Sequence, residues 1–257
     1  MALQIGRAFQ DGIDELLSER GAVFAGVFIV YGLLSSVVWA SLSQALTDVF
    51  LGQLPSDAQV NQAAMAGGTP LALDLPLAVA AVGALVLFVV NVALNIVAIR
   101  AFASDDREPI PDNVGRRLGK TVAIAIVAGI LTSIAVGIGI ILLVIPGLVF
   151  ALLFFFVQQE IALNDSGIIE SISNSVSIVI DNLLATFVLA IVLLVLGLVL
   201  GGVFSLLPIP LPPMVLTTVS TVLSSVVSVF SIAVTTVAYL HATESGYTQG
   251  TASTSGL

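Results

Sequence analysis

The stretch that decides the fold is TVAIAIVAGILTSIAVGIGIILLVIPGLVFALLFFFVQQ, residues 121–159, which contains no charged side chain. As one continuous helix, rising about 1.5 Å per residue, it would be roughly 58 Å long. The hydrocarbon core of a bilayer is only about 30 Å thick, so a single span cannot hold it. Pro146 and Gly147 stand near its middle, where proline opens a helix easily and glycine tolerates a reversal. The stretch therefore predicts a transmembrane hairpin, with spans at 120–144 and 146–163 and a tight turn at Pro146 and Gly147.

The rest of the chain is similarly apolar, with 58% hydrophobic and only 9% charged residues among 257. Long apolar runs with few charges are typical of membrane-spanning helices. Four more such runs occupy residues 21–46, 75–99, 182–207 and 211–241. The sequence therefore predicts an all-α fold, a polytopic membrane helix bundle with six transmembrane helices. We expect a single integral membrane domain at 1–243, followed by a disordered polar tail at 244–257.

The basic residues predict the orientation of this bundle. With six spans, all seven bases fall on one side of the membrane, namely Arg7, Arg20, Arg100, Arg107, Arg116, Arg117 and Lys120. An odd number of spans in this region would place bases on both sides. Because basic loops are retained on the cytoplasmic side, we expect a multi-pass protein of the cell membrane with both termini cytoplasmic.

Two segments outside the spans have the pattern of amphipathic helices. Residues 1–19 carry an apolar stripe at Ile5, Phe9, Ile13 and Leu16. Residues 165–181 carry a second stripe at Ile169, Ile172, Val176 and Val179, with polar positions turned away at Glu170, Ser173, Asn174 and Ser177. Apolar residues at this spacing lie on one face of a helix. The sequence predicts two cytoplasmic surface amphipathic helices.

Charge and composition exclude several classes of function. Sixteen acidic residues against seven basic ones disfavour binding to nucleic acid, and an acidic, lysine-poor composition is typical of proteins that work in concentrated salt. The chain has no cysteine and one histidine, His241, so thiolate sites and histidine-rich metal sites are excluded. We expect no cofactor and no metal. The expected partners are membrane lipids, with a membrane-protein partner or a homo-oligomer left open.

Four polar residues inside the predicted spans are candidates for an intramembrane site. Asn91 and Asn95 lie four residues apart on one face of the second span, and Gln159 and Glu160 stand near the end of the fourth. Because amides and charges are costly in lipid, they should face the bundle interior. Helix packing and a polar pathway both explain the amides.

Glu160 should lie near the cytoplasmic boundary, because it stands close to the end of one arm of the hairpin. Arg117 and Lys120 open the other arm at the same level. An unpaired charge near hydrocarbon is unfavourable, so we expect an ion pair between Glu160 and one of these two bases. A role in coupling protons or ions is the alternative.

The sixth span carries hydroxyl residues spaced four and three apart, at Thr217, Thr221, Ser224, Ser228, Ser231 and Thr235. We call these six residues the hydroxyl seam. Small residues at this spacing let two helices approach closely in a membrane. Close packing explains the seam best, and a hydrophilic pore lining is the alternative.

No motif of an enzyme is present: the sequence lacks a Walker glycine loop, an HExxH pair and a nucleophile elbow. We therefore expect a protein that is not an enzyme, acting as a membrane scaffold or interaction module. The alternative is a small transporter or channel, with a polar pathway around Asn91, Asn95 and Glu160. A continuous cavity lined by these residues would favour the transporter, and burial of each against a neighbouring helix would favour the scaffold.

Residues 140–187 resemble a known group of membrane proteins. The pattern is Ile145-Pro146-Gly147, an aromatic span at 150–156, the polar end Gln158-Gln159-Glu160, an Asp/Gly loop at 165–167 and a serine-bearing helix at 171–177. It is similar to the membrane domain of glycerophosphodiester phosphodiesterases and to related uncharacterised archaeal and bacterial six-span proteins. The resemblance implies a six-span fold and a membrane location. In that family the catalytic acids and metal ligands belong to a separate soluble domain, so the resemblance transfers no activity.

Overall fold

The computed structural model describes residues 5–52, 71–104, 108, 110–206 and 212–254, of which 201–206 and 244–254 are described as backbone only, and this part of the chain is helical. The helices are α1 (Ile5–Leu17), α2 (Glu19–Leu51), α3 (Leu77–Phe102), a 3-10 turn (Asp112–Gly115), α4 (Leu118–Leu142), α5 (Val144–Leu153), α6 (Val157–Asn164), α7 (Ile168–Asp181), α8 (Leu183–Leu206) and α9 (Pro213–Thr254).

Six helical segments of the described chain are long and apolar enough to cross a membrane. They are Glu19–Leu51, Leu77–Phe102, Leu118–Leu142, Val144–Asn164, Leu183–Leu200 and Pro213–Thr243. The predicted all-α fold class and the number of candidate spans are confirmed. Several helices extend past the predicted bounds, since α2 begins at Glu19 and α3 continues through Arg100 to Phe102. The extension of α3 places Arg100 at a helix end rather than in a loop.

The central hairpin forms, but its reversal lies earlier than predicted. Leu143 separates α4 from α5 and adopts an extended conformation, with φ −159° and ψ 135°. The predicted turn at Pro146 and Gly147 is therefore wrong by about one helical turn, because proline lacks an N–H and fits inside the first turn of α5. Gly147 serves the hairpin differently. It lets α5 approach α4 closely, since a Cβ built on Gly147 would lie 2.6 Å from the backbone nitrogen of Ile140.

This close approach predicts a large difference between two glycine substitutions. Gly147→Ala should lower the free energy of unfolding by about 1 to 3 kcal/mol, because the added methyl group meets backbone that can move only if the hairpin opens. Gly137→Ala is the matched control, since a Cβ there meets nothing within 4 Å. It should be neutral or stabilising by roughly 0.5 to 1 kcal/mol. Thermal unfolding in detergent measures both, and equal melting temperatures for the two variants would contradict the close packing.

The fourth candidate span is interrupted at Phe154–Phe156, between α5 and α6. Ser175 of α7 satisfies the backbone groups at this break. Its hydroxyl donates to the Leu153 carbonyl at 2.8 Å and accepts from the Phe156 N–H at 3.2 Å. The break and its serine partner together hold α6, and with it Gln159 and Glu160, against the bundle interior.

Small residues occupy most of the fully buried positions of the two predicted amphipathic helices, and large apolar side chains such as Phe9 and Ile172 pack around them. In α1, Ala8 and Gly12 are buried, and a Cβ on Gly12 would lie 2.3 Å from Val234 of α9. In α7 the buried face is Ser171, Ser175 and Val179. The predicted stripe of α7 is therefore wrong in part, because Ile169 is 83% exposed whereas Asn174, expected to point away, contacts Glu160.

The helical backbone of α9 continues to Thr254, through most of the segment for which a disordered tail is predicted. Extending an existing helix needs no new nucleus, so the polar composition of this segment does not by itself end α9. Residues 255–257 lie outside the described residues, as does Arg107.

Candidate functional site

Two adjoining cavities follow one face of α9. The first has a volume of about 450 Å³ and the second about 710 Å³. Both are lined by Asn95, Ser231 and Ile232, so they meet at these residues. The lining of α9 extends from Ser220 to Thr235, which is roughly 22 Å along the helix. Polar groups therefore line open clefts between the helices over much of the thickness of a bilayer.

The predicted polar residues of the spans are distributed over both cavities. Gln159 lines the first, Asn91 lines the second, and Asn95 lines both. The Asn95 side-chain amide donates to the backbone carbonyl of Asn91 at 2.8 Å and to the Asn91 Oδ1 at 3.2 Å. These contacts stay within α3, so the two asparagines do not bond to a neighbouring helix among the described residues.

Gln159 is the most deeply buried of these amides, at 6% exposed. Its Oε1 is inaccessible to solvent and has no hydrogen-bond partner among the described residues. A buried polar group without a partner costs about 1 to 3 kcal/mol relative to a satisfied one. An amide that only fastened two helices together would be bonded across them, so Gln159 is not explained by packing.

The hydroxyl seam supplies five of the remaining polar lining residues, and the others are Tyr31, Thr132, Ser133, Gln158, Ser220 and Ser225. Thr221, Ser224, Ser228, Ser231 and Thr235 line one or both cavities. Their hydroxyl protons are largely engaged by carbonyls of the same helix, as in Thr221 to Thr217 (2.8 Å) and Ser228 to Ser224 (2.9 Å). The oxygen lone pairs remain available as acceptors. No Asp, Glu, Lys, Arg or His lines either cavity in the described part of the chain, so the lining is uncharged, with amides and hydroxyls set among apolar side chains.

Glu160 lies outside these cavities, in a cluster of neutral donors. Its carboxylate accepts hydrogen bonds from the Asn174 amide of α7 at 2.6 Å, from the Ser166 hydroxyl at 3.2 Å and from the Tyr239 hydroxyl of α9. Tyr239 also accepts from the Asn164 amide at 2.8 Å. The carboxylate thereby joins three helices, α6, α7 and α9.

The expected ion pair of Glu160 with Arg117 or Lys120 is wrong. No basic side chain of the described residues lies within 4.0 Å of the Glu160 carboxylate, and Arg117 and Lys120 are exposed at the start of α4. The positions of Glu160, Arg117 and Lys120 along the two arms of the hairpin place them at one level. The Glu160 side chain, however, points towards α7 and α9. Three neutral hydrogen-bond donors contact the carboxylate in place of a basic side chain.

Arg100 and Asp165 form an ion pair at this end of the bundle, which the sequence analysis did not predict. The buried Arg100 guanidinium contacts Asp165 Oδ1 at 2.8 Å and Thr121 Oγ1 at 3.1 Å. It also donates to three backbone carbonyls, those of Ala162, Val114 and Arg116, at 2.7, 2.9 and 2.7 Å. The signal in the sequence is Asp165, an acid directly after the polar end of the hairpin, which ends α6 with a positive φ of 53°.

Arg20, at the start of α2, likewise joins separate segments through hydrogen bonds to backbone carbonyls. Its guanidinium donates to the carbonyls of Ala101, Ser104 and Glu108 at 2.6, 3.0 and 3.2 Å, and it lies 3.3 Å from Glu15. These contacts and those of Arg100 bring the starts of α2 and α4 and the ends of α3 and α6 to one end of the bundle. His241 of α9 lies 3.6 Å from Asp11 of α1, so α1 stands at the same end.

Metal-assisted chemistry has no evident centre within the residues that the structure describes, since no group of three or more His, Asp or Glu side chains is placed to hold an ion. The chemistry that the site offers is hydrogen bonding by neutral amides and hydroxyls.

Comparison with known proteins gives one match. The model of a family described as a domain of unknown function (DUF7847) matches residues 3–249 of the chain. No curated protein and no solved structure shows a significant match.

Proposed function

The chain belongs to the DUF7847 family, and we propose that it is a non-enzymatic, multi-pass protein of the cell membrane that provides a pathway for small solutes. The observation that carries this proposal is the pair of adjoining cavities lined by Asn91, Asn95 and Gln159. The sequence interpretation placed a scaffold first and a transporter second. We place the pathway first, and the cavities support this order because a scaffold needs no polar space along its helices.

Membrane insertion is supported by the exposed apolar surface. Only 11% of the residues in the most apolar windows of α3 and α8 are buried. Monomeric soluble proteins rarely expose contiguous apolar patches larger than a few hundred Å². Lipid is the partner that covers such a surface without cost, so the six candidate spans cross the bilayer.

The positions of the bases support the orientation. The described arginines and Lys120 stand near the end of the bundle where Arg20 and Arg100 tie the helices together. This end is cytoplasmic by the positive-inside rule, with both chain termini on that side. Helices α1 and α7 lie at the cytoplasmic interface, where the exposed side chains of Leu17, Ile169 and Ile180 contact lipid headgroups. The acidic composition fits a salt-rich environment.

The pathway itself is supported by the bonding of the amides. Polar side chains inside spans normally pair with one another across helices or face a water-filled cavity. Asn95 bonds within its own helix and Gln159 has no partner among the described residues, so the second arrangement applies. The hydroxyl seam continues the polar surface along α9.

A scaffold remains the second candidate because of α7. This helix exposes Ile169 and Ile180 on the side opposite its buried serines, and a membrane protein partner or a second copy of the chain would also cover them. The resemblance to the glycerophosphodiester phosphodiesterase membrane domain is compatible with either function.

Single-cysteine labelling tests the pathway and the orientation, because the chain has no native cysteine. A small water-soluble thiol reagent should modify Ser228→Cys in the seam at least about tenfold faster than Val195→Cys. Val195 is the control because it is exposed on α8 and lines neither cavity. With an impermeant reagent, Leu73→Cys should react from outside the cell and Asn113→Cys only after permeabilisation. An unreactive Ser228→Cys would contradict the proposed pathway. Reaction of Asn113→Cys from outside, with Leu73→Cys protected, would show that the orientation is reversed.

A further inference from the structure

We propose that the cavities bind a small uncharged polyol, held by Gln159 and Asn95 and passed along the hydroxyl seam. This inference rests on the proposed function, since it names the class of solute that the same pathway takes.

Gln159 is the residue that points to a ligand. It is 94% buried, lines the first cavity, and its Oε1 has no hydrogen-bond partner among the described residues. An amide has an acceptor on one side and donors on the other. A hydroxyl group both donates and accepts, so it satisfies whichever amide atom is turned towards it. Oε1 is shielded from the cavity in this structure, so a polyol hydroxyl pairs with it once the amide group turns over and exchanges the positions of its oxygen and NH₂.

Asn95 extends the same preference into the second cavity. Its side-chain nitrogen is occupied by Asn91, which leaves Asn95 Oδ1 as an acceptor where the two cavities meet. The seam continues with hydroxyl oxygens whose protons are bound to carbonyls of α9, as at Thr221 and Thr235. Seam residues recur every three or four positions, or about 5 Å. A solute with several hydroxyl groups can exchange one of these acceptors for the next.

The described lining carries no formal charge, which favours a neutral solute over an ion. Moving an ion from water into an uncharged cavity costs far more than moving a neutral polar molecule. Glu160, which follows Gln159 in the sequence, lines neither cavity, and its carboxylate already accepts from Ser166, Asn174 and Tyr239. No described charged side chain is therefore placed to replace the hydration of an ion.

The test uses erythritol as the probe and liposomes containing the purified full-length protein. Erythritol entry, followed by light scattering, should be accelerated over protein-free liposomes. Gln159→Leu should lower the accelerated rate about tenfold, because it removes both amide atoms while keeping the side-chain volume. Gln44→Leu is the matched control, since this half-buried glutamine of α2 lines neither cavity, and it should leave the rate unchanged. Equal rates for wild type and Gln159→Leu would overturn the inference, as would potassium or chloride flux without erythritol flux.

A second measurement separates failure of the solute class from failure of the pathway. Ser231→Cys stands where the cavities meet, and erythritol should slow its modification several-fold in detergent, whereas betaine at the same osmolality should not. If Ser228→Cys is reactive but erythritol does not protect Ser231→Cys, the polyol inference is wrong and the pathway stands. If erythritol protects Ser231→Cys but crosses no faster than in protein-free liposomes, the binding site stands and the pathway falls.

Discussion

Replacing Arg100 with methionine is expected to lower the free energy of unfolding by about 3 to 5 kcal/mol, the range typical of removing one partner of a buried ion pair. Arg100 makes five contacts from one guanidinium, to Asp165, Thr121 and three backbone carbonyls. Methionine keeps most of the side-chain volume but donates no hydrogen bond. The substitution would leave the Asp165 carboxylate without its closest base and the carbonyls without donors.

The large size of this effect follows from what Arg100 joins. The Ala162 carbonyl belongs to the last turn of α6, and the carbonyls of Val114 and Arg116 belong to the segment that leads into α4. A cation at the carbonyl end of a helix is stabilised by the helix dipole as well as by direct bonding. Loss of Arg100 would therefore remove the contacts that hold both the end of α6 and the segment that leads into α4.

Arg116→Met is the matched control, because Arg116 reaches the same carboxylate from the surface. Its side chain is 50% exposed, lies 3.6 Å from Asp165 and donates to the Leu163 carbonyl at 2.7 Å. An exposed pair contributes about 0 to 1 kcal/mol, so this variant should melt close to wild type. Thermal unfolding in detergent, followed by helical circular dichroism, compares the two. Similar losses for both variants would show that Arg100 is no more important than a surface base.

The number of candidate spans could be predicted because it depends on a local property, the length of apolar runs without charge. The exact turn of the hairpin could not. Pro146 is compatible with a turn and with the first turn of a helix, and the choice depends on how closely Gly147 packs against Ile140 of the other arm. Such packing involves residues on two helices, which a single apolar run does not reveal.

The break at Phe154–Phe156 was equally hidden, since this segment contains neither proline nor glycine. It is stabilised by Ser175, which lies 19 residues further along the chain from Phe156 and bonds to the freed backbone groups. The prediction that Glu160 lies at the level of Arg117 and Lys120 assumed one straight helix from Pro146 to Glu160. The break interrupts that helix, and Glu160 bonds to Asn174 of α7 and Tyr239 of α9 rather than to Arg117 or Lys120.

For the hydroxyl seam, the sequence predicted the shared helix face but not what covers it. Its spacing correctly placed five of its residues on a shared face of α9, but spacing alone cannot say whether a helix or a cavity covers that face. The hydrogen bonds of the neighbouring amides help to distinguish a helix from a cavity at this face. Asn95 and Gln159 were recognised as costly inside a span, and their hydrogen bonds, known only from the structure, separate packing from a polar lining.

Replacing Glu160 with glutamine is expected to lower the free energy of unfolding by about 2 to 3 kcal/mol, since bonds to a charged acceptor contribute about 1.5 to 3 kcal/mol each. The carboxylate offers only acceptors to Tyr239, Asn174 and Ser166. A glutamine amide has one oxygen and one NH₂ group, so the hydroxyl that faces the NH₂ group would have to turn and accept, and its bond to a charged acceptor would be lost. The cluster joins α6, α7 and α9, and loosening it should reduce the cooperativity of unfolding as well as the melting temperature.

A double-mutant cycle with Tyr239→Phe measures whether the contact itself carries the effect. Residues that share a buried hydrogen bond show coupling of about 0.5 to 3 kcal/mol, whereas distant residues are additive within about 0.5 kcal/mol. Tyr31→Phe is the matched control, because the Tyr31 hydroxyl donates to the Leu87 carbonyl of α3 at 3.1 Å and is not hydrogen-bonded to Glu160. Glu160→Gln should therefore couple to Tyr239→Phe and be additive with Tyr31→Phe. Additivity with both would show that Glu160 and Tyr239 do not stabilise one another, and an unchanged melting temperature for Glu160→Gln alone would refute a structural role for this carboxylate.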